Sequence, residues 1–425
     1  MKVAFYTLGC KVNQYDTQMM AEKFIASGHG VVDFSDFADI YVINTCTVTQ
    51  MSDKKSRNII SRAKRLNENA IIVVCGCFSQ VSSEEVSGIE GVDIVLGTSN
   101  RSDIVYFVNE FLKHGNQIVN VERKNDLSTE LISDFSEKTR AILKIEDGCR
   151  NFCSYCLIPF ARGKIISKPI EHVVKEATAI SKNGYREIVL TGIHLSSYGI
   201  DLCDVDLGDA INAVAEIDGI ERIRLGSLEP MIINDDFLKK IASCNKLCPS
   251  FHLSLQSGCD KTLASMNRKY TSEKYRKAVS LLRSYYPDCA ITTDVIVGFP
   301  GETDADFSES LEFVKEIGFA KVHIFPYSKR KGTKAAQMPG QIDKKIKQQR
   351  EKELSEIEKN SRISYLDAMI GTEQDILVER CLDGFCIGFS KNYISVKFAG
   401  SESLVNKIIS VEIIERCEDA LIAKI

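Results

Sequence analysis

The sequence predicts an α/β fold in three parts: a doubly wound parallel sheet over residues 1–125, a (β/α)6 partial barrel of the TIM type over 135–362, and a small β-barrel over 363–425. Three observations lead to it. Short apolar runs alternate with charged, helix-forming stretches near the N-terminus. A second and longer series of the same kind follows a polar segment. The last stretch turns to short strands of alternating pattern.

In the first part the runs at 3–6, 40–44, 71–74 and 92–96 are apolar throughout or nearly so, as strands buried on both faces require. Charge-rich stretches at 16–27 and 53–67 separate them, which sets loops at the carboxyl ends of parallel strands. Residues 123–138 are polar and read as a linker. The second series comprises 141–145, 187–191, 222–225, 252–255, 292–297 and 321–325, with its chemistry expected at the carboxyl strand ends. A charged amphipathic helix is expected over 343–365, then strands that include 374–379, 393–398 and 410–415.

The 425 residues allow each part its own core, and a net charge of −4 points to no class of partner. No apolar run approaches the roughly 20 residues of a membrane span. The N-terminus enters a strand without signal-peptide architecture, so a cytoplasmic location is expected. Fifteen cysteines then need explaining, and in a reducing compartment metal ligation or catalysis is favoured over disulfides. Cys244, Cys248, Cys289, Cys381 and Cys386 lie among apolar residues and read as small core hydrophobes. Cys259 reads as a free thiol.

Cys149, Cys153 and Cys156 stand in a CxxxCxxC loop directly after the first strand of the second series. Three thiolates suit an iron–sulfur cluster, and the missing fourth leaves one iron open to an exogenous ligand. Zinc or incidental thiols are the alternatives, but zinc usually takes four ligands or paired CxxC units. An open iron of this kind chelates S-adenosylmethionine (SAM), whose cleavage gives a 5′-deoxyadenosyl radical. Gly–polar corners recur at the following strand ends. With Tyr155 of the loop they make Thr191, Gly192, Ser227, Glu229, Gln256 and Gly298 the candidate SAM-binding residues. Thr191-Gly192 is expected at the SAM amino group and Gly298 at the adenosine.

Cys10, Cys46 and Cys77 follow the first, second and third strands of the first part. All three therefore fall on one edge of a parallel sheet, which points to a second three-coordinate centre. Cys75 competes with Cys77 but is expected within the strand, facing the core. Two open clusters imply that sulfur is handled as well as radicals.

Thr7-Leu8-Gly9-Cys10-Lys11-Val12-Asn13-Gln14, Asn44-Thr45-Cys46-Thr47, Gly76-Cys77, the Cys149 loop with Ile158-Pro159 and Arg162-Gly163, Gly298-Phe299-Pro300-Gly301-Glu302 and Phe325-Pro326-Tyr327-Ser328 resemble the methylthiotransferase family of radical SAM enzymes. The resemblance covers essentially the whole chain. It implies an N-terminal cluster domain, a radical SAM partial barrel and a C-terminal TRAM domain. It also implies two 4Fe-4S clusters, one on each cysteine triad, with SAM as methyl donor and radical source. Leu8–Asn13 and Asp53-Lys54-Lys55-Ser56-Arg57 look like the MtaB-type branch, whose substrate is N6-threonylcarbamoyladenosine at position 37 of tRNA. Phe78-Ser79-Gln80 departs from the commoner Tyr-Ala-Gln, and Cys259 stands where serine is usual.

The partners implied are the tRNA anticodon stem-loop, an electron donor such as flavodoxin or ferredoxin, and a sulfur donor, with the chain monomeric. Basic runs support an RNA surface, and Lys54, Lys55, Arg57, Arg268, Lys269, Lys329, Arg330 and Lys331 are its candidate residues. The C-terminal part opposes it, with ten acidic and six basic residues from 367 to 425. Three other readings stay open: a relative that modifies a ribosomal protein, one acting on isopentenyladenosine-37 of tRNA, and a non-enzymatic iron–sulfur electron carrier.

Overall fold

The computed structural model describes residues 1–47, 50–122, 127, 131–132, 134–135 and 139–425, with the side chains of 50–54 outside that description. The first unit is a parallel sheet of β1 (Lys2–Thr7), β2 (Gly30–Val32), β3 (Ile40–Thr45), β4 (Ile71–Gly76), β5 (Ile94–Leu96) and β6 (Ile118–Asn120) in the order β2-β1-β3-β4-β5-β6. β3 and β4 are buried along their whole length, which is why they read as unbroken apolar runs. The edge strands β2 and β6 were not expected. Each is three residues long and partly exposed, so neither carries a periodic signal.

The second unit carries β7 (Arg140–Lys144), the two-residue strands β8 (Glu146–Asp147) and β9 (Ile166–Ser167), then β10 (Glu187–Thr191), β11 (Arg222–Leu225), β12 (Ser250–His252), β13 (Ala290–Val297) and β14 (Lys321–Pro326). β11-β10-β7 and β12-β13-β14 are parallel sheets, joined through single bridges at Ile223–Leu247 and Leu228–Leu253. Together they form the expected six-stranded arc. β8 and β9 pair antiparallel and bracket the Cys149–Cys156 loop at the end of β7. A helix over Lys344–Asp367 leads to a closed barrel of β15 (Glu373–Leu382), β16 (Phe385–Ser390), β17 (Ser395–Ala399), β18 (Ile408–Cys417) and β19 (Ala420–Lys424).

The C-terminal barrel seats on the amino ends of the arc's strands. Arg222 donates to the carbonyls of Phe389 (3.0 Å) and Asp375 (2.7 Å), and Arg224 to those of Lys391 (2.9 Å) and Ser390 (3.3 Å). Arg140 lies over the rings of Phe389 and Tyr393. No helix among the described residues is long and apolar enough to cross a membrane.

Three expectations are corrected. The segment 123–138 lies largely outside the described residues. Its described Ile132 and Phe135 are buried, with the Phe135 amide on Tyr185 Oη at 2.7 Å, so these two are core rather than linker. The first sheet and the arc also do not hold separate cores. Val3, Met19, Val42 and Ile94 belong to one continuous apolar cluster with Ile142, Val173 and Leu190. Finally, Cys381 and Cys386 face each other across β15 and β16 and are joined as a disulfide. Hairpin register decides that pairing, and an apolar neighbourhood gave no sign of it. Cys244, Cys248 and Cys289 are buried free thiols as expected, and so is Cys259.

Candidate active site

Cys10, Cys46 and Cys77 each leave the carboxyl end of a neighbouring strand. Gly9 and Gly76, each just before a cysteine, both have φ of +101°, where a side chain is strained. A Cβ on Gly9 would lie 2.9 Å from Cys46 Sγ, and one on Gly76 would lie 2.5 Å from the Thr45 carbonyl. The corners at Cys10 and Cys77 thus close on the Thr45–Cys46 corner only because glycine precedes each of those two cysteines. Asn13 laces them, donating to the carbonyls of Leu8 (2.7 Å) and Thr45 (3.0 Å), and Thr45 Oγ1 donates to Cys75 O at 2.6 Å. Cys10 stands at the N-cap position of the Lys11–Ala26 helix, where desolvation pushes its free thiol up, and Cys77 opens the Cys77–Val81 turn. Cys75 is fully buried inside β4 with its thiol pushed up to about 12 by burial, as expected of a core residue.

The second triad lies in a single loop. Gly148, with φ of +99°, is again the residue before the first cysteine, and a Cβ there would sit 2.0 Å from Lys164 O. Every sulfur receives a donor: Cys149 Sγ from Asn151 N (3.5 Å), Cys156 Sγ from Ile158 N (3.4 Å) and Cys153 Sγ from Arg268 Nη1 (3.3 Å). Such donors stabilise sulfur-centred negative charge and tune a cluster held there. Burial pushes the free thiols of Cys149 and Cys156 up to about 11 and about 12, so metal binding must displace their protons. In each group the donor set of three soft thiols suits an iron–sulfur cluster with one open iron.

A buried ionic network joins the two loops. Arg162 donates to Cys77 Sγ (3.4 Å) and Asn13 Oδ1 (2.5 Å) on the first side, and to Asp147 Oδ2 (2.9 Å), two residues before Cys149, on the other. Asp16 accepts from Arg101 (2.8 Å), Lys144 (2.8 Å) and Arg162 (3.1 Å). Burial alone would raise the Asp16 carboxyl, but these three cations hold it well below the usual carboxylate range. Sequence reasoning missed Asp16, Arg101, Lys144 and Asp147. Their partners are remote in the chain, and nothing local marks them.

Beside the second triad a cleft of about 230 Å3 is lined by Asn151, Cys153, His194, Glu229 and Arg268. Glu229 accepts from Arg268 at 2.7 and 2.9 Å, and Asn151 Nδ2 lies 3.0 Å from His194 Nε2. Of the SAM candidates, Glu229 lies in this cleft and Tyr155 packs edge-on to Phe299 near it. Thr191 is buried, and Gly192 packs against Glu146, whose Oε2 would lie 2.5 Å from a Cβ there. Glu146, also missed, accepts the His194 amide at 2.7 Å, and burial raises its carboxyl well above the usual range. Gln256 is half-buried with φ of +68°. Ser227 instead lines a second cavity, within the arc. Gly298 is covered by Lys347 of the long helix, 2.4 Å from a Cβ built on it, so its missing side chain admits that helix.

The basic candidates divide. Arg268 and Arg330 do not face an RNA surface. Arg268 is spent on Cys153 and Glu229, and Arg330 is buried with Nη2 on Thr47 Oγ1 at 2.6 Å, tying the arc to the loop after Cys46. A basic run does not reveal which of its members turn inward. Lys55, Lys269, Lys329 and Lys331 are exposed, and Arg57 is exposed but paired with Glu85. The side chain of Lys54 lies outside the described residues.

Comparison with known proteins fits this geometry. Residues 2–97 match the family described as uncharacterized protein family UPF0004, and residues 143–314 match the radical SAM superfamily. A threonylcarbamoyladenosine tRNA methylthiotransferase, MtaB, of Bacillus subtilis (strain 168) is 39% identical over 97% of this chain and 94% of its own. A tRNA-2-methylthio-N(6)-dimethylallyladenosine synthase of Alkaliphilus oremlandii is 34% identical over 97% of this chain and 90% of its own. Among solved structures, the radical SAM methyltransferase TsrM of Kitasatospora setae shares the fold, with a TM-score of 0.57 at 16% identity over 79% of this chain and 75% of that one. With relatives of this identity aligned along nearly their whole length, the chain belongs to the radical SAM methylthiotransferase family.

Proposed function

We propose that this chain is a tRNA-modifying enzyme that adds a methylthio group to C2 of N6-threonylcarbamoyladenosine at position 37. The observation that carries the reading is the pair of cysteine triads, one spread over three strand ends and one within a single loop, bridged by Arg162. Its sequence agreement with the B. subtilis relative over nearly the full length supports the substrate.

Cys149, Cys153 and Cys156 would hold the radical SAM 4Fe-4S cluster, and Cys10, Cys46 and Cys77 the auxiliary one. When bound, the first cluster with SAM supplies a carbon radical and the second an iron site for sulfur. The chain's own residues position and shield these groups. Arg268 places a cation against Cys153 and holds Glu229 at the cleft, where Glu229, His194 and Asn151 offer polar partners to the amino-acid end of SAM. Arg162 places a cation against Cys77 and so offsets thiolate charge in a buried setting. Its salt bridge to Asp147 fixes the first loop relative to the second, so reacting groups meet without large rearrangement. A cytoplasmic electron donor of the flavodoxin or ferredoxin class and a sulfur donor complete the reaction, and exposed Lys55, Lys269, Lys329 and Lys331 offer charge to the tRNA backbone.

Nucleoside mass spectrometry of tRNA from a deletion strain tests the proposal. The 2-methylthio form of threonylcarbamoyladenosine should vanish and return with the wild-type gene. Its persistence in a strain without a redundant enzyme overturns the reading. Methylthiolation of a ribosomal protein by purified enzyme that ignores tRNA would favour the alternative suggested by the acidic C-terminal barrel.

A further inference from the structure

A second cavity, of about 560 Å3, runs through the arc from Ala290 and Ala320 at the starts of strands to Ser227 and Phe325 at their carboxyl ends. Lys11, the residue after Cys10, is part of its lining, so the cavity reaches the neighbourhood of the first triad. Tyr393 and Asn392 of the C-terminal barrel help to line its far end. Leu225, Phe325, Phe389 and Ile394 give much of its wall an apolar character, and one polar cluster interrupts it. His252, Asp294 and His323, from the three adjacent strands β12, β13 and β14, bring their side-chain N and O atoms within 4.8 Å of one another. Asp294 and His323 are register partners in β13 and β14. His252 Nδ1 is fixed by Thr292 Oγ1 at 3.0 Å, while its buried Nε2 lies 3.4 Å from Asp294 Oδ2 without a hydrogen-bond partner. Lys321 adds a further cation to the lining.

Nothing in the cluster chemistry uses these groups. A hydrocarbon such as the dimethylallyl group named for the A. oremlandii relative would fit the apolar part of the wall but would leave the imidazole, carboxylate and ammonium groups of the lining without partners. A threonylcarbamoyl arm is the opposite: it carries a carboxylate, a hydroxyl and a urea. We propose that this cavity receives that arm, with Lys11 and His323 meeting the carboxylate and the His252–Asp294 pair the hydroxyl. An arm anchored there leaves the adenine on the Lys11 side, in the neighbourhood of Cys10. The inference rests on the proposed substrate and deepens it, because it assigns the residues that select threonylcarbamoyladenosine over apolar N6 groups.

The test uses the anaerobically reconstituted enzyme and two anticodon stem-loop RNAs, one with the natural threonylcarbamoyl arm and one with its carboxylate converted to a carboxamide. Wild type should prefer the natural arm in kcat/KM by about tenfold to a hundredfold, the range of a charge-assisted hydrogen bond. In Lys11→Met and in His323→Asn that ratio should fall toward one, with iron content reporting that the fold is intact. A ratio unchanged in both variants overturns the proposal, as does a wild type that uses the two RNAs equally. A wild type that modifies neither RNA overturns the proposed substrate and the arm site with it. A stoichiometric metal other than iron that is lost in His252→Ala also overturns it, since the three residues would then be ligands.

Discussion

The two cysteine triads reach the same donor set by opposite routes. Cys149, Cys153 and Cys156 lie within one loop, clamped between β8 and β9 and held by its own amides. Cys10, Cys46 and Cys77 come from three strand ends and meet only when β1, β3 and β4 have paired. Each triad has one guanidinium on one sulfur, Arg268 on Cys153 and Arg162 on Cys77. The surroundings of these arginines differ. Arg268 borders an open cleft, whereas Arg162 is fully buried among Asp16, Asp147 and Asn13 from two units of the fold. One site is therefore a local structure with a solvent-reaching face, and the other is part of the seam between the sheet and the arc.

Removing each triad should separate the two roles most sharply. The reconstituted enzyme should hold about eight irons, falling to about four when either triad is replaced by alanine. Loss of Cys10, Cys46 and Cys77 should abolish methylthio product while 5′-deoxyadenosine is still formed from SAM. Loss of Cys149, Cys153 and Cys156 should abolish both. Iron analysis with chromatography of the nucleoside products distinguishes the outcomes, and equal loss of both products in the two variants would contradict the division.

The arginines should then rank by burial. Arg162→Met leaves two buried carboxylates short of a partner, and such a loss costs about 3–5 kcal/mol. Lysine should rescue little, since it cannot reach Cys77, Asn13, Asp16 and Asp147 together. Arg268→Met should cost less, about 1–2 kcal/mol, because Glu229 keeps His194 and Asn151 and faces the cleft. Urea midpoints of the anaerobic holoenzyme measure both, and equal losses would refute the ranking.

The same contrast explains what the sequence revealed. β3 and β4 were legible because burial on both faces leaves an apolar run. The first triad was legible because cysteines at successive parallel strand ends must share an edge. The four lysines that stay exposed and the two arginines that turn inward look alike in sequence, since Arg268 and Arg330 are set apart by the carboxylate or hydroxyl they find on folding. The seam was invisible for a related reason. Lys144 is 128 residues from Asp16 and Arg162 is 146 from it, and a lone Asp in a helix gives no sign of three cations waiting elsewhere. The cavity triad His252, Asp294 and His323 was equally hidden, one residue on each of three strands. The disulfide needed the hairpin register of β15 and β16, which a separation of five positions does not specify.

The effect smallest per unit of pH concerns two adjacent carboxyls that face different ways. Burial would raise Asp147, but Arg162 and Lys144 reverse this and hold it below its ordinary value. Burial raises Glu146 well above its ordinary value despite the His194 amide. The signs follow from linkage. Asp147 contributes stability that is present above its unfolded value of about 3.9 and is lost as pH falls through its lower folded value. Glu146 binds its proton more tightly in the native state, so its contribution is fullest below its unfolded value of about 4.3 and declines as pH rises from there. Glu146→Gln keeps the His194 hydrogen bond and removes the titration. Above about pH 5 the variant should gain on wild type with rising pH until Glu146 ionises in the native state, by no more than about 1.4 kcal/mol per unit, the limit for one proton. Asp147→Asn should show no such gain, because that carboxyl is already ionised throughout the range. Parallel pH profiles for Glu146→Gln and wild type would mean that the carboxyl beside Gly192 is ionised in the native enzyme, and that the two faces of this short strand are electrostatically alike.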